Sequence, residues 1–283
     1  MGGLFSGLAK LGLSKMEDME VFDNEDKSKS DAEEEKQEVH VIEEKDMLYD
    51  KTFRCPVCDR SIKSKTIKTG KAKLVSVDTD LRPKYQDIDC IKYDVVMCES
   101  CGYSALTRFF TALTTTQIKL IKENISSNFK QVFFEGDTYT YDDAILRYQL
   151  ALANSVVKKA RVSERAYACL KLAWLYRGKA ENLDTSAPDY TEQLESLKEE
   201  EQNYITSAYE GFVSAMKSEM FPICGMDEAT FTYVTADLAR RCKDYDVASK
   251  LVSQLLVSRV ASVKVKDRAR ELREIIKEEL KGS

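Results

Sequence analysis

The chain has 283 residues, 32% of them charged, a mean hydropathy of −0.40 and a net charge of −5. This length predicts two modules, and no apolar run approaches the ~18 residues that a membrane-spanning helix requires. His40 is the only histidine, which excludes nucleophilic triads built on a histidine base elsewhere in the fold.

Residues 1–22 form an amphipathic opening. Leu4, Leu8 and Leu11 recur at helical spacing, and Met16, Met19 and Phe22 continue in another phase. Two readings stand: an anchor on a membrane surface or in a partner's groove, or a frayed terminus. The opening lacks a basic start and a small-residue cleavage site, so no signal peptide is expected. Residues 23–46 carry eleven acidic side chains and four lysines with almost no aromatics, the composition of a disordered linker. His40 lies here and is expected to face solvent.

Residues 47–110 carry the strongest signal. Cys55-Pro56-Val57-Cys58 and Cys98-Glu99-Ser100-Cys101 are two Cys-x-x-Cys pairs separated by 39 residues. Two intervening residues let one tight turn aim both sulfurs at one ion, and four thiolates suit tetrahedral zinc. Asp59 and Gly102, the residues after each pair, suit a turn that needs positive φ. Cys55, Cys58, Cys98 and Cys101 are therefore the expected ligands of one structural Zn²⁺. Eight cysteines without an export signal predict a reducing cytoplasm. Cys90, Cys169, Cys224 and Cys242 are expected to be spectators or core thiols.

Around the pairs, Ser61–Ile67 and residues 72–77 read as a hairpin bracketing Gly70, with residues 93–97 as a third strand entering the second pair. The order of knuckle, hairpin, strand and knuckle is that of a zinc ribbon. Lys63, Lys65, Lys68, Lys71 and Lys73 decorate the hairpin. They are candidates for an anion- or RNA-facing surface with Tyr85 and Tyr93 as stacking platforms, or else a solvated edge that lysines keep from aggregating.

Residues 111–283 read as helical. Thr140 and Asp143 form a capping-box pattern, and Ile205, Ala208, Tyr209, Phe212 and Met216 give a helical stripe. Ala144–Tyr148–Ala151, Ala208–Phe212–Ala215 and Ala248–Val252–Leu255 repeat a small–large–small order, as in the second helix of a tetratricopeptide pair, though at irregular intervals. The expectation is mainly α structure with a small β module: a zinc-ribbon-like module followed by an irregular tetratricopeptide-like array. Its groove would be lined by Tyr233, Asp237 and Arg240, or those residues form an ordinary helix face.

Phe53-Arg54-Cys55-Pro56-Val57-Cys58, residues 65–73, Asp80-Leu81-Arg82-Pro83-Lys84-Tyr85, residues 93–98, Gly102-Tyr103-Ser104-Ala105 and Leu150-Ala151-Leu152-Ala153-Asn154 resemble the bacterial domain-of-unknown-function 2225 family. Glu99, Ser100 and Cys90 depart from its pattern without touching the four sulfurs. The resemblance implies a bacterial cytoplasmic protein and supplies no activity. A non-enzymatic interaction scaffold with a protein or peptide partner fits every segment. Nucleic-acid binding through the basic hairpin and a thiol redox sensor are the alternatives. No small-molecule substrate is evident, and a closed four-sulfur site leaves no open position for a catalytic water.

Overall fold

The computed structural model describes residues 43–111 and 113–282. The amphipathic opening, His40 and most of the acidic stretch lie outside them. Residues 43–46, assigned to the linker on composition, belong to the fold. Glu44–Met47 is a 3-10 turn closed by a capping box from Glu43, and Glu44 reaches Lys92 and the Tyr93 hydroxyl.

The described chain is mainly helical with three small antiparallel sheets, each of two strands. Strand β1 (Leu48–Arg54) pairs with β2 (Ser61–Ile67), from Leu48 opposite Ile67 to Arg54 opposite Ser61. Strand β3 (Leu74–Val77) pairs with β4 (Pro83–Tyr85), and β5 (Val95–Met97) with β6 (Ser104–Leu106). The hairpin expected across Gly70 is therefore not formed. Its two halves belong to different sheets, because β2 finds a seven-residue partner on the other side of the first Cys pair. The expected strand over 93–97 begins only at Val95. The Asp89 carboxylate accepts a hydrogen bond from the Ile91 N–H and caps a 3-10 turn over Cys90–Tyr93 instead.

Seven α-helices follow among the described residues: α1 (Thr115–Ile121), α2 (Tyr141–Val157), α3 (Val162–Glu181), α4 (Tyr190–Ser218), α5 (Glu228–Arg241), α6 (Tyr245–Val257) and α7 (Val263–Gly282). The capping box at Thr140 and Asp143 starts α2 as its sequence predicts. Helix α3 is buried from Ala168 through Tyr176, flanked by α2 and α4. At the α3–α4 crossing a Cβ on Gly211 would lie 2.5 Å from Ala166 Cβ, so only glycine allows this approach. All three small–large–small triplets are buried. Between α5 and α6, Lys243 takes φ 61° and Asp244 caps the next helix by accepting from the Val247 N–H.

Alternation along β5 joins the small sheets to the helices. Successive side chains of a strand point to opposite faces. Val95 enters the main helical core with Ala144, Tyr148 and Leu170, whereas Val96 packs among the cysteines with Tyr103 and Phe110. Strand β6 repeats the arrangement with Leu106 and Ala105. The core thus runs through the change from β to α structure near residue 110.

Candidate metal centre

Each Cys-x-x-Cys pair is the loop of its own hairpin, the first between β1 and β2 and the second between β5 and β6. The two loops are the same turn. The Cys55 carbonyl accepts from the Asp59 N–H at 2.9 Å, and the Cys98 carbonyl from the Gly102 N–H at 2.9 Å. Cys55 N–H donates to the Arg60 carbonyl at 2.9 Å, and Cys98 N–H to the Tyr103 carbonyl at 2.7 Å. The residue after the second cysteine has positive φ in both, 61° at Asp59 and 73° at Gly102. Asp tolerates this region better than most residues, and glycine enters it without strain.

The turns face each other and bring the four sulfurs within 4.8 Å of one another. Across the turns, Cys55 Sγ lies 3.6 Å from Cys101 Sγ, and Cys58 Sγ 3.6 Å from Cys98 Sγ. A disulfide would need about 2.05 Å. Tetrahedral coordination with metal–sulfur bonds of about 2.3 Å sets sulfurs about 3.8 Å apart. The observed spacing matches the second. Cys55, Cys98 and Cys101 are buried and Cys58 is half-buried. Thiols packed so closely oppose one another's ionisation. Hydrogen bonds from Cys101 and Cys55 hold the Cys98 thiol far below its ordinary range, while bonding to Cys55 and Cys98 pushes Cys101 far above it. Four thiolates coexist here only around a cation.

The supporting residues come from α2, and the sequence reading missed most of them. Asn154 Nδ2 donates to the Gly102 carbonyl at 2.9 Å, and Ser104 Oγ to the Arg147 carbonyl at 3.0 Å. The buried Arg147 guanidinium bonds the Val95 carbonyl, donates to Ser64 Oγ at 3.2 Å and lies 3.8 Å from the Tyr139 ring centroid. It therefore joins both hairpins to α2. The available signal was an arginine and an asparagine seven residues apart on a helix face otherwise filled by Ala144, Tyr148 and Ala151.

Other candidate residues lie elsewhere. Cys90 packs with Met47, Tyr93 and Tyr139, apart from the four sulfurs, and burial pushes its thiol to about 12. Lys63 is exposed on β2 and Lys65 is half-buried opposite Asp50; Lys68 donates to the Asp46 carbonyl, and Lys71 and Lys73 are exposed before β3. Tyr93 is no stacking platform: it is buried against Tyr139 and donates to Glu44. Tyr85 is half-buried.

Tyr233, Asp237 and Arg240 do not line an open groove, which corrects that expectation. Tyr233 is 3% exposed and Asp237 0%. Asp237 accepts from Arg240 Nε at 2.9 Å, Arg241 Nε at 2.9 Å and Thr79 Oγ1 at 3.0 Å. Arg240 also pairs with Glu279 of α7 at 2.6 Å. Beside them Asp80, fully buried, pairs with Arg177 at 2.7 Å. Burial alone would raise its carboxyl, but Arg177 and Arg241 outweigh it and hold the group at about 2. These charges tie the loop before β4 to α3 and α5.

Among the described residues no helix is long and apolar enough to cross a membrane. No curated protein and no solved structure matches the chain. The sequence profile of a family described as "Uncharacterized protein conserved in bacteria (DUF2225)" matches residues 48–276, a span holding all four cysteines and Arg147 and Asn154 of α2. The chain belongs to this family, DUF2225.

Proposed function

We propose that the protein is a non-enzymatic scaffold in which one structural Zn²⁺, held by Cys55, Cys58, Cys98 and Cys101, staples a zinc-ribbon-like pair of hairpins to an irregular tetratricopeptide-like helical array. The array would then present a rigid surface to a protein or peptide partner in the cytoplasm. The observation that carries the reading is the pair of matching turns with facing sulfurs. A four-sulfur tetrahedral set suits zinc or iron, and a closed, buried set suits a structural ion better than a catalytic one. Three buried small–large–small triplets support the helical-repeat part.

The alternatives have less support. Lys63 and Lys65 lie on β2 and Lys68, Lys71 and Lys73 in the loop that leaves it, so no single hairpin displays all five, which weakens an RNA face. A redox pair would use the two sulfurs of one Cys-x-x-Cys alone, whereas here the sulfurs of both pairs crowd within 4.8 Å of one another, as a shared ion would require. Metal analysis of protein purified without added metal tests the reading. One zinc per chain is expected, with loss of metal and cooperative unfolding in Cys98→Ser. Metal-free protein with a normal unfolding transition overturns it, and one iron per chain overturns the choice of ion.

A further inference from the structure

The helical part is polarised from end to end. Ser163, in the first turn of α3, donates from its N–H (2.9 Å) and its hydroxyl (2.6 Å) to Glu219, which directly follows α4. Helices α5 and α7 run side by side in the same direction, since Arg240 near the end of α5 pairs with Glu279 near the end of α7. The loop leading into α5 and the turn between α6 and α7 therefore share one end.

That end projects apolar side chains. Met220 is 89% exposed, Val257 81%, Val260 82% and Val263 74%. Lys217, Arg259 and Lys264 are interleaved with them, exposed and without an ion pair among the described residues. The turn before α3 adds exposed Lys159 and Arg161, likewise unpaired among the described residues. Glu219 and Asp227 nearby bond Ser163 and Thr230 and keep their charge, and with Glu228 they make three local acids against these five cations. The opposite end carries Asp184 and Asp189 in the α3–α4 connection, which has no lysine or arginine between residues 182 and 189.

Singly exposed apolar residues are ordinary on protein surfaces; four at one end of the helical part with unpaired cations beside them are a pattern. A protein partner would need a separate pit for each projecting side chain. A lipid interface accepts them without prior shape, and its phosphates meet the cations. We propose that this end of the helical array docks on an anionic phospholipid surface, with Met220, Val260 and Val263 entering the interface and Lys217, Arg259 and Lys264 meeting the headgroups.

Flotation of the full chain with vesicles tests this, comparing phosphatidylcholine alone with phosphatidylcholine plus phosphatidylglycerol. Binding is expected only with the anionic lipid and should weaken as salt rises. Val260→Asp with Val263→Asp, and separately Arg259→Glu with Lys264→Glu, should each lower the partition at least about tenfold, with circular dichroism and metal content unchanged. Failure to float with anionic vesicles overturns the proposal and leaves a protein as the occupant. Equal binding to neutral vesicles overturns it as well. So does binding that survives both double variants, which would place the contact elsewhere in the chain.

Discussion

The two metal-facing turns carry different residues at their positive-φ position, and that difference makes a comparison within one molecule. Asp59 and Gly102 both have positive φ after the second cysteine of their pair. Around Gly102 the space is filled: a Cβ there would lie 2.6 Å from the Phe129 ring and 3.1 Å from Ile125 Cγ2. Gly102→Ala should therefore incur left-handed backbone strain of about 1–2 kcal/mol. Overpacking against the half-buried Phe129 adds about 1–3 kcal/mol. The expected loss is about 2–5 kcal/mol, or a downward Tm shift of several degrees or more in a domain of this size. Asp59→Gly should relieve the same backbone strain, offset by the entropy glycine adds to the unfolded chain. It also gives up only an exposed contact with Arg54 at 3.3 Å, so the net change should stay within about 1 kcal/mol. Thermal unfolding of the three metal-loaded proteins measures both. The argument fails if Gly102→Ala is as stable as the parent, or if Asp59→Gly is the more damaging change.

Other expectations follow from the same geometry. Gly211→Ala places a methyl 2.5 Å from Ala166 Cβ and should destabilise by about 1–3 kcal/mol in urea; an unchanged midpoint would mean that α3 and α4 can part without strain. Asn154→Ala frees the Gly102 carbonyl and should cost about 1–3 kcal/mol, seen also as faster metal loss to a chelator; unchanged loss would detach α2 from the site. Asp80 is held at about 2 against an ordinary value of 3.8. Its folded-state value is depressed, so its stabilisation is present above pH 4 and falls away between about pH 4 and 2, an effect of about 2 kcal/mol. Asp80→Asn should flatten that part of the stability–pH curve and, by stranding Arg177, lower stability at neutral pH by about 3 kcal/mol; a parallel curve would contradict the assignment.

The sulfur cluster was legible because ion coordination constrains residue type and spacing directly, and because Asp59 and Gly102 are among the few residues suited to positive φ. Helix α2 and the small–large–small triplets were legible through periodicity and capping. The strand partners were not. Strand β1 is exposed along most of its length, so its sequence shows no buried alternation, and only the turn geometry of the first Cys pair brings it onto β2. Asp237 and Arg240 looked like surface polar residues because a partner that both bond, Thr79, lies 158 and 161 residues away in the chain. Helix α3 shows a helical stripe of Tyr167, Leu170 and Trp174, but its buried charges were hidden for a related reason. Covered on several sides, it takes Lys171 and Arg177 inside with it and satisfies them with Asp94 and Asp80, pairings that no local window contains.

X-ray absorption at the zinc edge, on protein purified without added metal, tests the central claim most directly. The matched turns predict one zinc per chain in a shell of four sulfurs at about 2.3 Å, with no nitrogen or oxygen ligand. A folded chain that carries no zinc, or a zinc whose shell includes light atoms in place of any of the four sulfurs, would contradict it.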